Sequence, residues 1–266
     1  AKYKALLEGL EISELMLHEV LFENRSFRID STFFNKYAVS LDKNLKSKAH
    51  TFIDESKIVS GPFGSTLKSE SYLTQGIPFV RIENIKGGFE ISKNEIIYIS
   101  QDDNERLKNS QLQIDDLVLS KVGNTIGYYA RVDEELGDCN RSENIVGIKL
   151  SSFPLKKRHY FLAFLNCKYG NVLTLRRISG NAQPKLNVFD ISEIPIPIRT
   201  EEFETEISKV ITDSRKIKFV SVQKYQDAEN ILLNETQLND FVFSNDPINV
   251  KRSEEHTSEL QSPYVI

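Results

Sequence analysis

The chain has 266 residues, 39% of them hydrophobic, with 38 acidic and 34 basic side chains and a formal net charge of −4. That length is ample for one domain with its own core plus an appendage, while the longest apolar run, Tyr160 to Leu165, is far too short to cross a bilayer and no charged-then-apolar leader opens the chain. Cys139 and Cys167 have neither CxxC spacing nor clustered histidines, which argues against a metal site or a disulfide framework and fits a reducing cytoplasm.

Residues 1–50 read as helices with short breaks. Phe33, Phe34, Tyr37, Leu41 and Leu45 fall at helical spacing, with Ser31 as the expected N-cap. That apolar face either packs on the domain or binds a partner helix. Residues 51–198 read as strands and helices. The expected strands are Ile77–Ile82, Glu95–Ile99, Asp116–Lys121, Ile126–Val132 and Ile145–Leu150. Lys157–Tyr169 and Asn171–Ile178 read as helices. Strands dominate the first half and helices the second, so the expected class is α+β with a mixed sheet rather than regular βαβ winding.

Residues 201–239 contain no Gly and no Pro, and a 3-4 frame finds Phe203, Ile207, Val210, Ile217, Ala228, Ile231 and Leu238. The frame misses at Ser214, Ser221, Lys224 and Glu235, which leaves a moderate heptad signal. Residues 199–250 are therefore expected to form a long coiled-coil-like helix and tail, the helix at 201–239 spanning roughly 55–60 Å at about 1.5 Å per residue. Such a rod suits pairing with another helix or lying along its own domain. Arg252–Ile266 reads as the translation of an adapter oligonucleotide, and Ala1 in place of Met points to a start further upstream.

Four blocks carry the candidate chemistry. Gly61-Pro-Phe-Gly-Ser65 leads into Thr66 and Lys68, a turn that sets a hydroxyl and an ammonium side by side or simply joins strands. Gly76–Asn84 ends in Arg81 and Asn84, residue types that pair with guanine and adenine edges or hold a turn through backbone hydrogen bonds. Asp116–Gly127 places Ser120, Lys121, Asn124 and Thr125 around Gly123. Gly180–Asn187, with Arg176 and Arg177 just before it, adds Asn181, Gln183 and Lys185. Amides read base edges and cations hold phosphates. Between Arg141 and Asn187 there are nine cations and one acid, Glu143, a candidate electrostatic footprint inside an acidic chain or a solvated helix face.

In this order the four blocks resemble the target-recognition domain of type I restriction-modification specificity (S) subunits, over roughly Ile58 to Leu238. The resemblance implies an α+β recognition domain at 51–198 followed by a spacer helix. It implies recognition of one half of a bipartite sequence in double-stranded DNA, in the cytoplasm of a prokaryote. It also implies docking of methyltransferase (M) subunits and of a restriction-translocase (R) subunit, with S-adenosylmethionine, ATP and Mg in those partners and no cofactor in this chain. The DNA-facing residues would be Ser65, Thr66, Lys68, Arg81, Asn84, Lys121, Asn124, Arg176, Arg177, Asn181, Gln183 and Lys185. The chain departs from the family's pattern at Asp115, where a glycine is expected before the strand.

No GxxxxGK[ST] loop, Asn-Pro-Pro-aromatic motif or Gly-rich cofactor turn is present, and His18, His50 and His159 are remote in sequence from candidate nucleophiles. The expected role is non-catalytic. Two rivals remain: the recognition tail of a single-chain type IIG restriction-methyltransferase, and a helical scaffold that binds no DNA and self-associates through the long helix.

Overall fold

The structure is a computed structural model that describes residues 15–22, 28–62, 67–180 and 184–239. Four candidate DNA contacts, Ser65, Thr66, Asn181 and Gln183, lie outside the described residues, as does the segment from Arg252 onward.

Two short apolar runs set the centre. Strands β5 (Leu117–Ser120) and β8 (Ile145–Ile148) are buried at every position. They form the middle of a four-stranded antiparallel sheet, with β2 (Ile58–Ser60) beyond β8 and β6 (Tyr129–Arg131) beyond β5. Leu117, Leu119, Val146 and Ile148 enter one apolar cluster, while Val118 and Ile145 enter another. Both faces of the sheet are thus dry, which is why these strands read as runs of apolar residues instead of alternating with polar ones. Each fully buried Leu or Ile stabilises the fold by about 1.5–3 kcal/mol.

Helices α4 (Leu155–Asn166), α5 (Lys168–Arg176) and α6 (Val188–Ser192) cover the first face with Phe161, Leu162, Leu165, Leu173 and Ile191. The second face meets a three-stranded sheet in which β3 (Ile77–Val80) runs antiparallel to β4 (Ile97–Ile99) and parallel to β7 (Asn140–Arg141). Val80 points into the shared cluster, and Phe79 points the other way, toward Leu67, Ile99 and Leu107 at the end of α3 (Gln101–Arg106). A mixed sheet system with its helices segregated is an α+β fold. The ends of this body are clipped together where β1 (His50–Thr51) pairs antiparallel with β9 (Ile196–Pro197).

Near the N-terminus, α1 (Leu17–Phe22) precedes α2 (Lys36–Lys46). The cap is not Ser31. Asn35 accepts from the Ala38 amide at 3.1 Å, and the Asp30 carboxylate accepts from the Phe33 amide at 3.0 Å, which holds residues 31–34 in a turn ahead of the helix. A buried ion cluster ties α2 to α5. Asp42, 6% exposed, lies 2.8 Å from Lys46 Nζ, 3.2 Å from Arg177 Nη2 and 3.6 Å from Arg176 Nη1. Burial alone would raise the Asp42 pKa, but Arg177, Lys46 and Arg176 outweigh it and hold the carboxyl below its usual range.

Asp115 adopts the left-handed conformation at φ 70°, which explains the glycine expected there. Asp tolerates this region better than most residues, and the Asp115 carboxylate is used: it pairs with Arg131, which is 1% exposed and also bonds Glu134 at 3.0 Å.

Helix α7 (Glu201–Thr236) runs unbroken for 36 residues, about 54 Å at 1.5 Å per residue. A compact unit comprises residues 1–211, and residues from Thr212 onward form a second unit. In the first, Glu204 and Ile211 are buried, Phe203 meets the Tyr160 ring edge-on at 6.2 Å, and Ser208 bonds His159 Nδ1 at 2.8 Å. In the second, Ile217, Phe219, Tyr225, Ile231 and Leu232 are all more than three-fifths exposed, with values from 62% to 75%. No described helix is long and apolar enough to cross a membrane.

Candidate nucleic-acid interface

Strand register gathers the candidate loops at one end of the four-stranded sheet. Ser60 lies opposite Val146, Ile145 opposite Ser120, and Leu119 opposite Tyr129. The segments that leave this end are the loop after Gly61, the loop Lys121–Tyr128 and the turn Ser142–Asn144. Backbone hydrogen bonds join them: Gly61 N donates to Ile145 O at 3.1 Å and Lys121 N to Asn144 O at 3.1 Å. Gly61 is required there, because a Cβ would strike the Ser142 carbonyl and come within 2.9 Å of Glu143 Cα.

The remaining two blocks arrive at the same place. Leu186 N donates to Lys121 O at 3.0 Å, and Ser179 and Lys185 exchange backbone bonds of 2.8 and 2.7 Å that close the Gly180 loop. Ser142 N donates to Val80 O at 2.9 Å, which brings the end of β3, and with it Arg81, beside the turn. A methyl at Gly123 would touch Ile82 Cγ2 at 3.9 Å. Blocks spread over more than 120 residues of sequence thus share one edge.

The candidate side chains divide sharply. Lys68, Asn124 and Lys185 are exposed, and Lys121 is half-buried. Burial lowers the Lys121 pKa; Glu143 opposes this, while Lys185 and Arg141 add to the lowering. Lys121 thus feels an acid, Glu143, as well as two cations, so this edge mixes both signs of charge. Arg81 is partly committed, with Nη1 2.7 Å from Glu83 and Nη2 donating to Glu95 O at 3.2 Å.

Three expected contacts are structural instead. Asn84 is fully buried; its amide donates to Ser92 O and Asn94 O and accepts from the Arg81 amide, so no edge is left for a base. Arg177, 4% exposed, donates to Leu173 O at 2.8 Å and Glu193 O at 2.7 Å and pairs with Asp42. Arg176 donates to Phe33 O at 2.6 Å and stacks 4.4 Å from the Phe33 ring centroid, and burial pushes its guanidinium down to about 10. In all three the long polar side chain replaces water inside the fold, a role that sequence alone cannot separate from a surface one.

The basic stretch also divides. Arg141 is fully buried behind the loops and donates to the Ser110, Val59 and Ser60 carbonyls. Lys149 sits at the opposite end of the sheet, where its amide bonds Lys57 O at 2.8 Å. At that end Lys57 and Lys157 flank the Phe153 ring, Arg158 donates to Phe153 O and Ser151 O, and Lys156 pairs with Glu201. At the candidate loops Lys185 is exposed and Arg141 is buried, while Lys149, Lys156, Lys157 and Arg158 lie elsewhere, so the run is not one continuous footprint.

The sequence also left residues of this edge unnamed. Tyr72, Glu83 and Asn144 border it together with Glu143. Their sequence signal was slight: Glu143 is the one acid in a basic stretch. Among the described residues no group of His, Cys, Asp and Glu could hold a metal ion.

No protein-family model and no curated protein matches the chain. Similar solved structures include a chain from a type I R-M system, from work on its complex assembly and conformational transition, at 16% identity and TM-score 0.44, covering 88% of this chain and 56% of that one. The S subunit of a type I restriction-modification system from M. genitalium matches at 15% identity and TM-score 0.43, over 68% of this chain and 42% of that one. The type IIG restriction endonuclease BpuSI matches at 9% identity and TM-score 0.48, over 69% of this chain and 28% of that one. The chain thus spans about half the length, or less, of the structures it resembles.

Proposed function

We propose that the loop edge is a reader of double-stranded DNA and that the chain serves as a non-catalytic recognition module of a restriction-modification system. The observation that carries this reading is the convergence of four separate Gly-bearing or polar blocks on one sheet end, where the Leu186 amide bonds the Lys121 carbonyl at 3.0 Å and so brings the Lys185 backbone next to that of Lys121. In this reading Lys68, Lys121 and Lys185 hold phosphates, and the loop amides and Arg81 approach the bases. Ser65, Thr66, Asn181 and Gln183, which lie outside the described residues, stay candidates by their sequence position beside these blocks. The module recognises one half of a bipartite site in the prokaryotic cytoplasm. The α7 residues beyond Thr212 serve as the docking or self-association arm, and M and R subunits carry the S-adenosylmethionine, ATP and Mg chemistry.

A specific observation favours a second reading. The cations scatter and α7 exposes large apolar side chains, as a scaffold that binds no DNA would require. Selection from a randomised duplex library across a salt series separates the two. A reader enriches a short motif, and Lys185→Ala lowers affinity for all sequences alike while reducing the salt slope by about one. Absence of any enriched motif, with and without a methyltransferase subunit, would leave the scaffold.

A further inference from the structure

A cleft of about 240 Å³ opens on the loop edge, beside Gly61 and against the Ser142–Asn144 turn. Its floor is apolar, with Leu67 9% and Phe79 2% exposed. One wall is the Tyr72 ring with the Arg81 guanidinium 5.9 Å from its centroid. Arg81 Nε is buried there without a hydrogen-bond partner among the described residues. The other wall is Glu143 and Asn144.

The backbone of this wall is pinned from three directions: Ser142 N by Val80 O, Asn144 O by Lys121 N, and the Ser142 carbonyl by the close approach of Gly61. The side chains are not. Among the described residues neither the Glu143 carboxylate nor the Asn144 amide makes a hydrogen bond. Glu143 lies within electrostatic reach of Lys121 but is held by no hydrogen bond among the described residues; with the backbone already rigid, only the rotamer freedom of these two side chains remains to be lost when a ligand binds.

Glu143 is the informative member. A carboxylate on a phosphate-facing edge is repelled by DNA unless it meets a donor. In the major groove the bases offer two, the exocyclic amines cytosine N4 and adenine N6; guanine O6 and N7 and thymine O4 only accept. We propose that Glu143, with Asn144 beside it, selects an amine-bearing base, cytosine or adenine, at one position of the target, the cleft receiving that base edge. The inference rests on the DNA-reading function proposed above and adds the residue and the base class that set specificity.

The test uses the full chain, its Glu143→Ala and Glu143→Gln variants, and Lys185→Ala. Motifs are first selected from a random duplex library. Each cytosine or adenine of the wild-type motif is then replaced by its analogue lacking the exocyclic amine. At one position this lowers wild-type affinity about tenfold, while Glu143→Ala binds amine-bearing and amine-free duplexes within about twofold of each other. Glu143→Gln retains an acceptor, adds a donor and shifts the preference toward adenine. Lys185→Ala keeps the wild-type motif at lower affinity. If Glu143→Ala and Glu143→Gln both select the wild-type motif unchanged, the assignment of Glu143 is overturned while DNA reading stands. If the wild-type chain enriches no motif, DNA reading itself fails and this assignment with it.

Discussion

Replacing Arg177 by Met asks whether a residue that looks like a phosphate ligand in sequence is a strut of the fold. Met keeps much of the volume and removes three hydrogen bonds: those to the Leu173 carbonyl at 2.8 Å, the Glu193 carbonyl at 2.7 Å and the Asp42 carboxylate at 3.2 Å. At about 1–2 kcal/mol each for buried bonds from a charged donor, the loss is about 3–5 kcal/mol, matching the cost of breaking a buried ion pair from one side. For a body of this size that is roughly 2–4 °C per kcal/mol, so the melting temperature should fall by about 10 °C. The acid limb changes as well. The Asp42 pKa is lowered in the folded chain relative to 3.8, so its contribution is present above pH 3.8 and is lost as pH falls through the lower folded value. In Arg177→Met that limb becomes shallower, because the folded pKa moves back toward the unfolded one. Urea melts between pH 7 and pH 3 measure both quantities. A stability loss under about 1 kcal/mol would refute the reasoning and return Arg177 to the list of surface cations.

Gly147→Ala should cost about 1–3 kcal/mol, since the new methyl would stand 2.7 Å from Leu112 Cδ2 and 2.8 Å from the Arg141 Cζ, and Arg141 is locked by three carbonyls; chemical denaturation reads the loss. Asp115→Ala removes one of the two carboxylate partners of the buried Arg131, leaving Glu134, and puts a residue less tolerant of positive φ at 70°, so a destabilisation of about 2–3 kcal/mol is expected, against a smaller one for Asp115→Gly. Tyr160→Phe deletes the 2.6 Å bond to the Pro197 carbonyl and should lower stability by about 1 kcal/mol. Ile217→Asp and Ile231→Asp change exposed positions of α7, so the melting of the body should move by less than about 0.5 kcal/mol while any self-association seen by sedimentation weakens.

The apolar pattern carried much of the fold. Leu117–Leu119 and Ile145–Ile148 announce themselves as strands because both their faces are buried, and Tyr160–Leu165 reads as a core helix for the same reason. The two-residue strands β1, β7 and β9 leave no period to detect, and they owe their existence to partners far away in sequence. The start of α2 was misplaced because Ser31 and Asn35 are both good caps, and only Asp30, by claiming the Phe33 amide, decides between them. For the site, glycine and amide content located the loops but not the fate of each side chain. Asn84 and Arg177 have the composition of DNA contacts and the environment of core residues. Burial is a tertiary fact: Arg177 is claimed by Asp42, 135 positions away in sequence. Glu143 fails in the opposite sense, since its charge made it the exception in a basic run and its value depends on neighbours contributed by β3.

The two-residue clip between His50–Thr51 and Ile196–Pro197 has a consequence for how such a chain can vary. The clip brings two distant points of the chain together, so the 144 positions between Thr51 and Ile196 form a closed excursion from one place in the body. Exposed loops within that excursion should tolerate insertion while the clip keeps its geometry. Linking the two sides of the clip and opening new termini within an exposed loop should yield a circularly permuted body that still folds.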